Sequence, residues 1–153
     1  MSIVESELHR PVAPPSIRVR LAGPRDCDAV IGLLDNPDHA REQVLAWLES
    51  PGTTLLVAQS EEGVLAVAVL VTHVTPIEGG HAQKVVEVDN LVVRADLRGR
   101  RIGRRLLAAA VEWSRQRRAS QVEAQVSSTN REARRFYENF GFAMATDRLV
   151  LAA

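Results

Sequence analysis

Residues 53–59 and 64–75 are almost unbroken runs of apolar and β-branched side chains, separated by Glu61-Glu62-Gly63. Two such runs around a short Gly-containing turn predict an antiparallel hairpin. Upstream, residues 17–22 predict a short strand, and Pro24-Arg25-Asp26 opens a helix in which Cys27, Val30, Ile31 and Leu34 share one face. Asn36-Pro37-Asp38 breaks that helix. A second amphipathic helix runs to about Glu49, with Val44, Trp47 and Leu48 on its apolar side and Ser50-Pro51-Gly52 as its stop. After a loop with Pro76, Gly79 and Gly80, the pattern predicts a strand over 84–94, a long helix over 101–118, a strand over 121–127 and a helix over 131–140. A final strand over 142–151, bent near Asp147, completes the series. An antiparallel half thus runs into a βαβ crossover, which predicts an α/β chain with a mixed sheet and helices on its faces. In such sheets ligands bind outside the strand ends at the crossover.

A chain of 153 residues is long enough for one sizeable core. We expect residues 1–16, with three prolines, to be an arm, and residues 17–153 to be one domain. The arm lacks a basic segment followed by an apolar stretch, so it does not read as a signal peptide. No apolar run approaches the roughly 20 residues that a bilayer span needs, so no membrane association is expected. Cys27 is the only cysteine. That excludes an intramolecular disulfide and a cysteine zinc cluster, fits a reducing cytoplasm, and suggests a buried structural thiol. His9, His39, His73 and His81 have no ligand spacing, so no metal is expected.

Net charge is zero, but its distribution is uneven. Residues 1–89 carry six basic against thirteen acidic side chains, net −7, and residues 90–153 the reverse, net +7. The basic half holds Arg98-Gly99-Arg100-Arg101-Ile102-Gly103, followed by Arg104, where a strand turns into the long helix. Glycines there let the backbone approach a ligand, and free N–H groups with the helix dipole favour a diphosphate. Arginines add charge-assisted contacts. The plain alternative is a solvated basic helix start. A nucleic-acid patch is disfavoured by zero net charge and an aromatic content of only 4%. Further along the chemistry-bearing stretch, Glu87 and Asp89 lie two apart on a strand and are expected to share a face. Tyr137, the single tyrosine, falls at core spacing with Ala133, Phe136 and Phe140, so packing alone would account for it. Thr129-Asn130-Arg131-Glu132 reads as a capping box.

Three blocks together resemble the GNAT superfamily of acyl-CoA-dependent N-acetyltransferases, over nearly all of 17–151. They are Glu87-Val88-Asp89-Asn90-Leu91-Val92-Val93, similar to the family's fourth strand; Arg98 to Gly103, similar to its pyrophosphate loop; and Asn130 through Phe142. One departure is Arg101, which stands where the loop pattern has its middle glycine. The resemblance implies a central mixed, mostly antiparallel sheet of six to seven strands with about four helices, the fourth and fifth strands splayed. It implies acetyl-CoA as acyl donor, with Leu91, Val92 and Val93 along the thioester and pantetheine arm. Arg98, Gly99, Arg100, Arg101, Ile102, Gly103 and Arg104 would lie at the pyrophosphate, and Asn130 near the thiol. Glu87 matches the usual general base, with Asp89 as second choice, and Tyr137 the usual general acid, also against the cofactor. A backbone N–H aimed at the thioester carbonyl would stabilise the oxyanion by roughly 3–4 kcal/mol.

In the family the first two helices and the loop before the fourth strand shape the acceptor site. Here that region holds Asp26, Asp28, Asp35, Asp38, Glu42 and Glu78, which implies a cationic amine, either a small molecule or a protein N-terminal or lysine amine. His81 lies in the same loop. Family members are often dimers, so a homodimer is a further expectation of the resemblance. Two readings of other classes compete: an acyl-CoA-binding module without turnover, and a basic nucleic-acid-binding domain.

Overall fold

The computed structural model describes residues 16–35, 37–76, 79, 82–145 and 149–152. The hairpin predicted around Glu61-Glu62 is the centre of the sheet. Strands β2 (Thr53–Ser60) and β3 (Gly63–Pro76) pair antiparallel, with Ser60 opposite Gly63. Gly63 takes φ +107°, a conformation that the tight turn needs and an L side chain resists. β1 (Arg18–Leu21) pairs with β2, and β4 (Ala82–Val93) with β3, both antiparallel. β5 (Gln121–Ala124) lies parallel to β4, so the order is β1-β2-β3-β4-β5 in a mixed open sheet.

Alternation along the strands feeds two apolar layers. One face carries Leu56, Ala58, Ala66, Ala68, Leu70, Val86 and Val88, which pack with Ile102, Leu106, Leu107 and Ala110 of helix α3 (Ile102–Gln116). The other carries Leu55, Val57, Val67 and Val69, which pack with Cys27 and Val30 of α1 (Cys27–Ile31) and Val44 of α2 (Pro37–Glu49). β3 is therefore buried on both faces from Leu65 to Leu70, which explains its unbroken apolar run. Helix α4 (Arg131–Phe140) adds Phe136, Tyr137 and Phe140 to the α3 layer. Short 3-10 turns, Pro24–Asp26 and Ala95–Leu97, lead toward α1 and toward the turn before α3.

Several boundaries differ from the sequence expectation. Pro37 opens α2 rather than only breaking what precedes it, in keeping with proline at a first helical turn. The last strand expected over 142–151 is absent among the described residues: 142–145 and 149–152 join no ladder, leaving five strands rather than six or seven. Leu149, Val150 and Leu151 are almost wholly exposed, so nothing there rewards extended pairing with burial. β5 stops at Ala124, short of the expected Ser127. Most of the expected arm (residues 1–15), Glu78, His81 and the bend at Asp147 lie outside the described residues. No helix among those described is long and apolar enough to cross a membrane.

Candidate active site

The site begins with an irregularity in β4. Val88 pairs with Leu70 and Asn90 with Val69, so Asp89 is an extra residue, a β-bulge, with no partner on β3. The bulge resets the alternation: Val86 and Val88 face α3 before it, and Leu91 and Val93 do so after it, while Val92 joins the opposite layer. The parallel ladder to β5 ends where the bulge begins, at Val88 opposite Ala124. From Asp89 to Val93, then, β4 runs on with its β5-side edge outside any ladder, and the two strands splay. The backbone groups of Leu91 and Val93 point to that edge, whereas those of Val92 and Arg94 point to β3, so the former are left for a ligand, because polar backbone groups need partners.

At the far side of that wedge α3 starts. Arg101 caps it with φ 64° and ψ 15°, a left-handed conformation that suits the glycine of the family pattern and that an arginine adopts here at a cost of about 1–2 kcal/mol. Gly99 also has positive φ, +83°. The first bond of the helix runs from the Arg105 N–H to the Arg101 carbonyl, and no side chain caps the end. The N–H groups of Ile102, Gly103 and Arg104 thus have no intrahelical acceptor, and with the dipole they form a cradle suited to a diphosphate. Arg98, Arg100 and Arg101 are exposed around it. Gly103 has a packing role as well: a Cβ there would lie 3.4 Å from Leu91 Cδ2 and Val93 Cγ2, and 3.6 Å from Phe136 Cε2. Arg104 turns away from the cradle, its guanidinium over the Phe140 ring at 5.3 Å and directed to the Asn139 carbonyl at 3.4 Å. This donor set, backbone N–H groups flanked by arginines beside an unpaired strand edge, fits the pyrophosphate and pantetheine of a CoA thioester.

Asn130, not Thr129, caps α4: its Oδ1 accepts the Ala133 N–H at 3.1 Å, whereas the Thr129 hydroxyl pairs with Ser127. The expected capping box does not form, because the third position after Asn130 is Ala133, which has no polar side chain to bond back; Asn130 has a structural duty independent of any ligand. Tyr137 stands edge-on to Phe136 and Phe142, with centroids 5.1 and 5.3 Å away. Burial raises its phenol above the ordinary value of 10.0, so it holds its proton at neutral pH.

Glu87 lies on the face away from α3, its side chain 18% exposed, with Oε2 3.0 Å from His73 Nε2. Asp89 does not share that face in the simple way expected, because the bulge intervenes; across the bulge Asn90 does, being opposite Val69. On β5, Glu123 sits in register with Glu87. Neither His73 nor Glu123 was singled out by motif, since both reach Glu87 only through strand pairing. Among the acids expected to attract an acceptor, Asp26 is committed elsewhere. It is buried and chelated by Arg20 at 2.7 and 2.8 Å, it accepts the Gly23 N–H, and the guanidinium holds its carboxyl below the ordinary 3.8. Asp28 pairs with Arg41 at the surface, while Asp35, Asp38 and Glu42 are exposed.

Residues 27–142 match the model of the acetyltransferase (GNAT) family. The chain belongs to that family. Aminoalkylphosphonate N-acetyltransferase of Salmonella typhimurium is 38% identical over 72 residues, which is 47% of each chain, so the match spans about half the length of that curated relative. The GNAT fold is matched by solved structures at low identity. An aminoglycoside N-acetyltransferase, AAC(6')-Iy with CoA, superposes with a TM-score of 0.76 at 16% identity, over 92% of this chain and 95% of that one. A ribosomal-protein-alanine N-acetyltransferase from Brucella melitensis biovar Abortus 2308 does so with 0.76 at 18%, over 90% and 100%.

Proposed function

We propose that this GNAT chain is an N-acetyltransferase that moves the acetyl group of acetyl-CoA to a primary amine by direct attack, with both substrates held at once. The observation that carries the reading is the wedge between β4 and β5 opening onto the uncapped start of α3. When bound, acetyl-CoA supplies an activated acetyl group and a diphosphate handle. The N–H groups of Ile102, Gly103 and Arg104, with Arg98 and Arg100, hold the diphosphate, and the free edge at Leu91 to Val93 orients the pantetheine and the carbonyl. Glu87 takes a proton from the acceptor ammonium, directly or through water, freeing the amine lone pair. Tyr137 keeps a proton at its phenolic oxygen for the departing sulfur. Arg101 follows the left-handed path that the family's glycine would take, so it leaves the backbone cradle for the donor intact.

The acceptor is a cationic amine, small or at a protein terminus or lysine. The names of its relatives span an aminoalkylphosphonate, an aminoglycoside and a ribosomal-protein alanine, all amines. A cytoplasmic setting accords with the single buried, unpaired Cys27. Thermal unfolding with and without acetyl-CoA tests the donor site: ligand at 100 times Kd adds about 2.7 kcal/mol and moves the midpoint by several degrees. An amine panel monitored by thiol release then tests transfer. No shift at millimolar acetyl-CoA would overturn the reading; a shift with no turnover on any amine would favour an acyl-CoA-binding module.

A further inference from the structure

Acetylation of an ammonium by a thioester yields an amide, a free thiol and one proton, which has to reach water in every turnover. Glu87 is poorly placed to deliver it alone, because its side chain is mostly buried at 18% exposure. One described neighbour connects it to solvent. His73 projects from β3 on the same face, its Nε2 3.0 Å from Glu87 Oε2, and its side chain is 50% exposed. The contact is a diagonal across the ladder, since Val71 stands opposite Glu87 and His73 opposite Val85. Both side chains sit on strands paired over their length, so the geometry is set by the sheet rather than by a loop.

We propose that His73 is the proton outlet of this site, acting through Glu87; the proposal rests on the reading of Glu87 as base. At rest the ring donates its Nε2–H to the Glu87 carboxylate. Once Glu87 has taken the ammonium proton, the ring exchanges that hydrogen through water for one on Nδ1, and Glu87 passes its proton from Oε2 to the freed Nε2. The resulting imidazolium releases a proton to water from its exposed edge. Meanwhile the amine lone pair forms the C–N bond, the C–S bond breaks, and the thiolate takes its proton from Tyr137, which recovers it from the second N–H proton of the attacking amine. The count closes with one proton in water.

The ionisable surroundings are sparse. Glu123 of β5 is in register with Glu87 and accepts a bond from Gln121 Nε2, and the exposed bulge residue Asp89 follows two positions along β4. Lys84, beside Val85, takes the opposite face and gives its ammonium to the Arg117 carbonyl. Among the described residues of these strands, no cation other than an imidazolium therefore faces Glu87.

The experiment compares His73→Ala, His73→Gln and Glu87→Gln, each in several buffer concentrations and with added imidazole. For His73→Ala we expect a roughly ten-fold fall in kcat, little change in acceptor KM, and recovery with imidazole, because a diffusing base replaces the missing ring. His73→Gln, which keeps a polar side chain of similar reach, should show the same loss and guards against a folding defect in the alanine variant. Ring-nitrogen resonances of His73 should also move in substrate-free Glu87→Gln. Wild-type turnover in both His73 variants, or a loss that imidazole does not restore, overturns the outlet while leaving Glu87 as base. Undiminished turnover in Glu87→Gln overturns the base itself, and the outlet with it.

Discussion

Val69 of β3 pairs with Asn90 of β4 while its neighbour Leu70 pairs with Val88, and the residue skipped between them is Asp89. The two candidate carboxylates are thereby separated in position, and the proposed base role falls to Glu87. Glu87→Gln is expected to lower kcat by about 100-fold or more, and Asp89→Asn to leave it within a few-fold, in steady-state assays at saturating acetyl-CoA. Equal losses would mean that the bulge does not sort the two.

Tyr137→Phe removes one hydroxyl from a ring held by Phe136 and Phe142. Turnover should fall roughly 100-fold, with the unfolding midpoint almost unchanged, since the packing ring survives. Burial raises the phenol, so the folded value lies above the unfolded 10.0. This group's stabilising contribution is complete below pH 10.0 and is lost as pH rises through the folded value. Alkaline unfolding of the wild type should therefore set in earlier than that of the phenylalanine variant.

Arg101 holds a backbone conformation made for glycine. Releasing it is worth about 1–2 kcal/mol, against about 0.5–1 kcal/mol for the added freedom of an unfolded glycine. Arg101→Gly should thus raise stability by a net amount of about 0.5–1 kcal/mol in denaturant titration. Affinity for acetyl-CoA, measured by calorimetry, should drop by no more than the loss of one exposed charge.

The Arg20–Asp26 pair ties β1 to the turn before α1. The carboxyl is depressed below 3.8, so its contribution is present above that pH and is lost as pH falls through the lower folded value. Asp26→Asn should cost about 1–2 kcal/mol at pH 7, a figure discounted for the partial exposure of Arg20. In acid melts the variant and wild type should converge.

Much of this was legible in the chain. Helix α4 was bounded at Arg131 and Phe140 from periodicity alone, and the β2–β3 hairpin from two apolar runs around Gly63, because both signals are local. The bulge was not: Glu87, Asp89 and Leu91 alternate in sequence as an ordinary strand, and only pairing with β3 reveals that one residue is skipped. His73 escaped for the same reason, since its link to Glu87 depends on the register of a hairpin whose loop length no pattern fixes. The strand expected over 142–151 is not formed by residues 142–145 and 149–152, which join no ladder although β5 presents a free edge among the described residues; apolar content alone does not dictate pairing. Asn130 outcompeted Thr129 for the cap by one position, within the tolerance of any capping motif.

Cys27 lies in the α1–α2 layer with only 9% of its surface open, and the chain has no other thiol. Acetyl transfer liberates a thiol at each turnover, so a colorimetric sulfhydryl reagent added to the folded protein would count product against a silent background. The same reagent, in the absence of substrate, would begin to react only when the α1–α2 layer lifts from the sheet. One buried side chain thus lets a single dye time both the chemistry and the opening of the fold.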